Sequence, residues 1–443
     1  MGKYFGTDGI RGRANETLDV NRAFQVGKYL GYYFTHHGTS KKILVGKDTR
    51  LSSSMFEHAI AAGASASGAD VYLMGYCSTP SVAYLTKHGD YGCGVMISAS
   101  HNPYDDNGIK VFSHDGIKLS ADIEALIEEY IDGKSEVELA TGDHIGRVIE
   151  YPEGLDVYLN WMERLLDVDL KGMKLAIDCA NGSSCTTAEK LLKRLGATCT
   201  IIHDQPDGLN INTKCGSTHP ESLQALVKSG DYDLGLAFDG DADRLIAVNS
   251  KGELINGDYI LYICGKFMKE TGKLAHDTVV TTVMANLGFF KAMEREHLDT
   301  RSTQVGDKYV YECMVKEGFT LGGEQSGHII FSEHMTTGDG LLTALKLLEV
   351  MKKTGKSIIE LSEGLKIYPQ LLVNVRVKDK EAVMKEPVIL KEIELVSKEL
   401  EGNGRILVRP SGTEPLVRVM AEAETDEICH DLVYRIVKLI EEL

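Results

Sequence analysis

Leu234-Gly235-Leu236-Ala237-Phe238 runs directly into Asp239-Gly240-Asp241-Ala242-Asp243-Arg244. Five apolar or small residues predict a buried strand, and an acidic loop follows at its carboxyl end. Next come a hairpin turning at Ser250-Lys251-Gly252-Glu253 and a helix capped near Asp258. The same order occurs twice more. Gly94-Val95-Met96-Ile97-Ser98 leads into Ala99-Ser100-His101-Asn102-Pro103, a hairpin with arms at 109–112 and 117–119, and a helix capped by Ser120. Phe319-Thr320-Leu321 leads into Gly322-Gly323-Glu324-Gln325-Ser326-Gly327-His328, with Gly338-Asp339 ahead of a helix over 341–352. One unit of strand, polar loop, hairpin and helix is therefore present three times.

Working outward, other strand-like runs begin further α/β alternations. They include Lys42-Ile43-Leu44-Val45-Gly46, Lys174-Leu175-Ala176-Ile177-Asp178 and Thr278-Val279-Val280-Thr281-Thr282. This predicts three similar α/β domains with mixed, mainly parallel sheets. After Pro369 the pattern changes to a strand at 371–377, a helix at 388–400, strands at 406–408 and 416–420, and a helix at 428–443. That reads as a C-terminal α+β domain. The expected boundaries are 1–150, 151–252, 253–367 and 368–443, a division in keeping with 443 residues. Ligands of open α/β sheets bind beyond the carboxyl ends of strands, so the polar loops are where chemistry is expected.

A net charge of −17 argues against nucleic acid or an anionic membrane surface as partner. No apolar run reaches the ~18 residues of a membrane span. The start, Met1-Gly2-Lys3-Tyr4-Phe5-Gly6, turns polar at once and lacks a signal-peptide core. These features predict a cytoplasmic protein. Nine cysteines are scattered without CxxC spacing. Cys77, Cys179, Cys199 and Cys264 sit among apolar residues, which predicts buried, reduced thiols.

Each loop has its own chemistry. In 98–103 a serine hydroxyl after a buried strand could act as a nucleophile, with His101 or Lys110 managing charge. The same residues also suit an ordinary Ser/Asn turn. In 239–244 three alternating carboxylates call for a hard cation such as Mg²⁺ or Ca²⁺. An EF-hand is excluded, because its sixth position holds Arg244 and its twelfth Ser250. Arg244 beside the acids suggests that an anion docks there too. The loop 322–328 offers paired donors and acceptors for sugar hydroxyls, and reads equally as a Gly-rich turn. A fourth loop, Arg409-Pro410-Ser411-Gly412-Thr413-Glu414-Pro415 with Arg418 beyond it, combines arginine forks and hydroxyls into a phosphate cradle. It is not a Walker loop, since Gly-x-x-x-x-Gly-Lys is absent.

With Phe5-Gly6-Thr7-Asp8-Gly9-Ile10-Arg11-Gly12 in front, the four loops in this order resemble the α-D-phosphohexomutase family. The resemblance covers the whole chain. It implies an isomerase that moves phosphate within a sugar, with Ser100 as the phosphorylated residue. Mg²⁺ would be held by Asp239, Asp241, Asp243 and the Ser100 phosphate. Glu324, Ser326 and His328 would bind the sugar, and Arg409, Ser411, Gly412, Thr413 and Arg418 the non-reacting phosphate. Arg11, Lys110, His101 and Arg244 would line the transfer site, with Lys110 as general acid/base. The opening motif, Gly-Glu-Gln-Ser-Gly-His and Val305-Gly306-Asp307-Lys308 favour the glucosamine branch. That implies interconversion of glucosamine 6-phosphate and glucosamine 1-phosphate through a 1,6-bisphosphate, feeding UDP-N-acetylglucosamine and cell-wall synthesis. A glucose or mannose phosphate mutase is the alternative. Hexose 1,6-bisphosphate is the expected activator, a small sugar phosphate the expected partner, and a homodimer is allowed. The family often has glycine where this chain has Ala242.

Two readings from other classes compete. In a serine-phosphate phosphatase, water would take the phosphoryl group, but such an enzyme has no need of a second phosphate loop. A sugar-phosphate sensor has no use for a nucleophile beside Lys110 and three aspartates.

Overall fold

The computed structural model describes residues 2–411 and 415–442. It divides into two compact units, Met1–Met284 with Leu298–Ser362, and Ala285–His297 with Glu363–Leu443.

The first unit holds three sheets. The largest has seven strands, in which Cys93–Ile97, Lys42–Lys47, Asp70–Tyr76 and Val148–Glu150 run parallel. Asp106–Ser113 returns antiparallel beside Cys93–Ile97. The second sheet has five strands. Thr198–Ile202, Lys174–Asp178 and Leu234–Phe238 are parallel, and Leu245–Val248 returns antiparallel. In the four-stranded third sheet, Asp299–Thr303, Thr278–Thr282 and Leu321–Gly323 are parallel, with Ile329–Phe331 antiparallel. Each sheet thus carries the predicted motif. A buried parallel strand ends in a polar loop, the chain returns antiparallel, and a helix follows. Cys93–Ile97 and Leu234–Phe238 are buried along their whole length and read as unbroken runs of apolar and small residues because both faces are covered.

Three details differ from the sequence reading. The arm expected at 117–119 is reduced to a single bridge between Phe112 and Lys118. Lys118 is instead drawn between Asp8 at 2.9 Å and Asp307 at 2.7 Å. The helix Gly257–Glu270 is capped by Asn256, whose side chain accepts from the Tyr259 N–H, and Asp258 lies in its first turn. Cys199 is only half-buried, whereas Cys77, Cys179 and Cys264 are buried. All nine cysteines are free thiols, and burial raises Cys77 and Cys264 to about 12.

The second unit contains an antiparallel sheet ordered Gln370–Arg376, Leu416–Glu422, Arg405–Pro410. Helices Pro387–Glu399 and Asp426–Glu441 supply its core through Ile389, Val396, Val433 and Ile436. The helix Leu287–Arg295 belongs with this unit and not with the third sheet's strands that flank it in sequence. Leu287 N–H donates to Glu422, and the Asn286 side chain is hydrogen-bonded to the Tyr368 backbone in both directions. Among the described residues no helix is long and apolar enough to cross a membrane.

Candidate active site

The loops beyond Cys93–Ile97, Leu234–Phe238 and Leu321–Gly323 converge within the first unit. Ser100 and Ala242 both take left-handed backbone, with φ of 52° and 57°. For a residue with a Cβ this conformation costs about 1–2 kcal/mol. The methyl of Ala242 therefore stands at a position that glycine would occupy without strain. At Gly240 no side chain fits, since a Cβ would lie 2.5 Å from the Ser100 carbonyl oxygen.

Ser100 is buried, and its Oγ donates to Asp239 Oδ2 at 2.7 Å, with His101 Nδ1 at 3.4 Å. Asp239, Asp241 and Asp243 each place a carboxylate oxygen within 4.8 Å of the others. All three are buried, and Asp241 Oδ1 and Asp243 Oδ1 lack any hydrogen-bond partner. Burial, with Asp243 and Asp241 alongside, pushes Asp239 well above the usual carboxylate range. Three clustered carboxylate oxygens, two of them orphaned, fit a hard divalent cation with oxygen ligands.

A ring of cations faces this cluster. Lys110 Nζ lies 2.7 Å from Asp241 Oδ2, 3.1 Å from Asp8 and 3.6 Å from Asp243. Burial opposes its charge, but these carboxylates outweigh burial and hold it charged well above the ordinary lysine value. Arg11 pairs with Asp8, and Arg244 Nε is 3.7 Å from Asp243. Both Arg11 Nε and Arg244 Nε are buried without hydrogen-bond partners. His101 is the contrast. Burial, together with Arg244 and Arg11, lowers it to about 4, so it is neutral near pH 7.

The third loop meets the second directly, with Leu245 N–H donating to Gly327 O at 3.0 Å. His328 Nδ1 is 3.6 Å from Asp243, and its Nε2 accepts from Gly338 N–H at 2.9 Å. Burial disfavours the imidazolium, while Asp243 favours it and raises the ring to about 9. The Gly338 donor acts in the other direction, because a protonated nitrogen cannot accept. Glu324 Oε1 accepts from Gly306 N–H at 3.1 Å, and the Ser326 hydroxyl is buried without a partner.

The structure also adds residues that the sequence did not single out. Arg50 and Asp48 are a fully buried pair, with Arg50 Nε 2.9 Å from Asp48 Oδ2. The same guanidinium donates to the carbonyls of Ser100 at 2.8 Å, Asn102 at 3.0 Å and Pro103. Asp48 also accepts from the Ser98 hydroxyl at 2.6 Å. The Asn212 amide also donates to Ser100 O at 2.9 Å, and Thr79 donates to Asp241. Arg50 thus fixes the nucleophile loop without touching Ser100 Oγ. Arg50→Ala is expected to destabilise the protein by about 3–5 kcal/mol, since it strands a buried carboxylate. Arg50→Lys should fold but lose at least tenfold in turnover, as one ammonium cannot reproduce the planar fork. Thermal melts and steady-state rates of the two variants check this. Parent-like values for both would remove Arg50 from the support of the site.

In the second unit, Arg409 and Arg418 are paired residues on adjacent antiparallel strands. Burial, and then Arg418, lowers Arg409 below its ordinary value. Ser411 is buried, and its N–H donates to Leu416 O at 2.9 Å. Gly412 and Thr413, the remaining predicted members of this loop, lie outside the described residues.

Comparison with known proteins agrees with this construction. Sequence models described as phosphoglucomutase/phosphomannomutase match in four consecutive parts. The α/β/α domains I, II and III match residues 2–138, 156–252 and 256–368, and the C-terminal domain matches 372–439. A phosphoglucosamine mutase of Geobacillus thermodenitrificans is 53% identical over 441 residues, 99% of this chain and 98% of that one. One from Shouchella clausii is 50% identical over 442 residues, 100% of this chain and 99% of that one. A phosphoglucomutase/phosphomannomutase family protein of Burkholderia thailandensis has a crystal structure that superposes with a TM-score of 0.82. It is 25% identical and covers 100% of this chain and 98% of that one. From its sequence and its arrangement of domains, the chain belongs to the phosphoglucomutase/phosphomannomutase family.

Proposed function

We propose that this protein interconverts glucosamine 6-phosphate and glucosamine 1-phosphate through a phosphorylated Ser100 and a hexosamine 1,6-bisphosphate. The observation that carries the chemistry is Ser100 Oγ, buried at 2.7 Å from Asp239 within the aspartate cluster. The sugar assignment rests on phosphoglucosamine mutases about half identical over nearly the whole chain.

In the forward half, a free sugar hydroxyl attacks the Ser100 phosphate. The bond from phosphorus to Oγ breaks, and a bond to the sugar oxygen forms. After the bisphosphate turns around, Oγ attacks its other phosphate and releases the monophosphate isomer. Asp239, Asp241, Asp243 and the Ser100 phosphate would hold Mg²⁺, which when bound supplies positive charge beside the transferring group. Arg11, Lys110 and Arg244 add fixed cations, so most of the catalysis is electrostatic. Lys110, held as an ammonium by Asp241, Asp8 and Asp243, acts chiefly as a fixed positive charge and is poorly placed to accept a proton. Neutral His101, 3.4 Å from Oγ, takes the accepting part of the duty first assigned to Lys110. Glu324, Ser326 and His328 serve the sugar hydroxyls, and the orphaned Ser326 hydroxyl suits that use. Hexose 1,6-bisphosphate would re-phosphorylate Ser100 when an intermediate escapes. A cytoplasmic setting follows from such a sugar-phosphate substrate.

The test is an intact-mass measurement before and after hexose 1,6-bisphosphate, joined to kcat/KM for glucosamine, glucose and mannose phosphates. One added phosphoryl group and a preference for glucosamine phosphate are expected. A preference for glucose or mannose phosphate would transfer the assignment to another branch of the family.

The fourth loop is assigned to the non-reacting phosphate. Arg409 and Arg418 are paired positions on adjacent strands, and two neighbouring guanidinium forks match the oxygens of one phosphate. Arg409→Ala should therefore harm isomerisation more than phosphoryl transfer. In a single turnover from radiolabelled phosphoenzyme, more label should leave as bisphosphate and inorganic phosphate than in the parent. The same partition in both would take Arg409 out of phosphate binding.

A further inference from the structure

Behind the aspartate loop, three side chains of different donor chemistry meet. Asp178 ends the strand Lys174–Asp178 and is fully buried. His203 follows Thr198–Ile202 and is half-buried, and Cys215 is buried in the loop beyond it. One ligand atom from each lies within 4.8 Å of the other two. His203 Nδ1 is buried 3.0 Å from Asp178 Oδ1, its nearest charged neighbour, in a contact without good hydrogen-bond alignment. A ring nitrogen, a carboxylate oxygen and a thiol gathered this closely form a donor set of the kind that holds a metal ion. The spacing is close to the roughly 3.3 Å between nitrogen and oxygen ligands on a tetrahedral zinc ion with bonds of about 2.0–2.2 Å. Burial pushes Asp178 upward even though Gly216 N–H and Ala180 N–H donate to it and His203 adjoins it.

We propose that Asp178, His203 and Cys215 form a second metal site, distinct from the aspartate loop, that takes zinc or a similar borderline divalent ion. The donor set discriminates between the two sites. Carboxylate, imidazole and thiolate suit zinc, whereas the all-oxygen aspartate cluster suits magnesium. Three protein ligands would leave a fourth position for water.

The site's consequence is positional, because it touches no reacting group. Asp178 already ties Ala180 N–H and Gly216 N–H to itself at 2.9 Å each. From these segments two supports reach the active site. Asn212, bonded to Ala180 O at 2.9 Å, holds the Ser100 carbonyl at 2.9 Å. Ser183 N–H donates to Gly240 O at 2.8 Å, and a Cβ at Gly182 would lie 2.5 Å from that same oxygen. An ion joining Asp178, His203 and Cys215 would lock together the two segments that brace the serine loop and the aspartate loop.

Cobalt(II) is the probe, added to the full-length protein with Mg²⁺ in excess. The expected result is a thiolate-to-cobalt charge-transfer band that saturates at one equivalent, is displaced by Zn²⁺, and accompanies a rise in melting temperature. An ion on the aspartate loop cannot give this band, since that loop has no thiol. Cys215→Ser and His203→Ala should each lose the band and weaken Zn²⁺ binding at least about 100-fold, while keeping their zinc-free mutase activity. No charge-transfer band in the parent, or a band that survives Cys215→Ser, would overturn the proposal.

Discussion

Ser100→Ala is expected to fold like the parent and to lose mutase turnover by at least about 10⁴-fold, the scale of removing a covalent nucleophile. The reason the fold should survive is local. Arg50 and Asn212 grip the Ser100 carbonyl, not its side chain, so the loop keeps its anchors. The Ser98 hydroxyl still accepts the N–H of residue 100 at 2.9 Å. What disappears is one hydrogen bond to Asp239, a loss of about 1 kcal/mol. Asp239, already pushed upward by burial and its two neighbours, loses a donor that steadied its charge. The variant should consequently show a slightly lower melting temperature and take up no phosphoryl group from hexose 1,6-bisphosphate. A variant retaining more than a trace of turnover, with unchanged mass after bisphosphate, would show that the phosphoryl group never resides on this serine.

The legible part of this protein was its sequence-local part. The run 234–244 announces a strand and its loop because apolar continuity and three alternating acids both lie within eleven residues. The same holds for 94–103 and 319–328. Their meeting in one place followed from a rule about strand ends, and Ser100, Lys110, Asp239, Asp241, Asp243, Arg244 and His328 do come together. The supports were not legible, because they act across long separations. Lys118 reaches Asp307 across 189 positions, Thr79 reaches Asp241 across 162, and Asn212 reaches Ser100 across 112. Asp8 lay inside a quoted motif, yet only the folded chain shows its carboxylate touching Arg11, Lys110 and Lys118. A lysine or aspartate in a turn carries no periodic signal, so its partner is set by packing alone. The helix Leu287–Arg295 is a related case. Its periodicity predicts a helix but not the unit it joins, which depends on Glu422 and Tyr368 far along the chain.

Asp241→Asn should abolish most activity while leaving the loop's hydrogen bonds in place, which makes it the cleaner test of the metal assignment. Asp241 Oδ2 accepts from both Lys110 Nζ and Thr79 Oγ1, so the amide oxygen of asparagine must take that position. The amide nitrogen then falls where Oδ1 was, the buried oxygen with no partner. A buried, unpartnered lone pair is replaced by a donor. The local network survives, but the loop loses one anionic ligand and gains a group that repels a cation. Lys110 keeps Asp8 at 3.1 Å and Asp243 at 3.6 Å, so it should remain charged. In EDTA the variant should be at least as stable as the parent, because one of three crowded carboxylates has been neutralised. In saturating Mg²⁺ the order should reverse. At 100 times its Kd a bound ion stabilises the parent by about 2.7 kcal/mol, and the variant should gain much less. Turnover should fall about 10²–10³-fold, the usual cost of losing one preorganised electrostatic contact to the transition state. The two readouts separate the explanations. If Asp241→Asn retained the parent's full melting shift with Mg²⁺ and its turnover, the three aspartates would be a structural turn braced by Lys110, not a metal site.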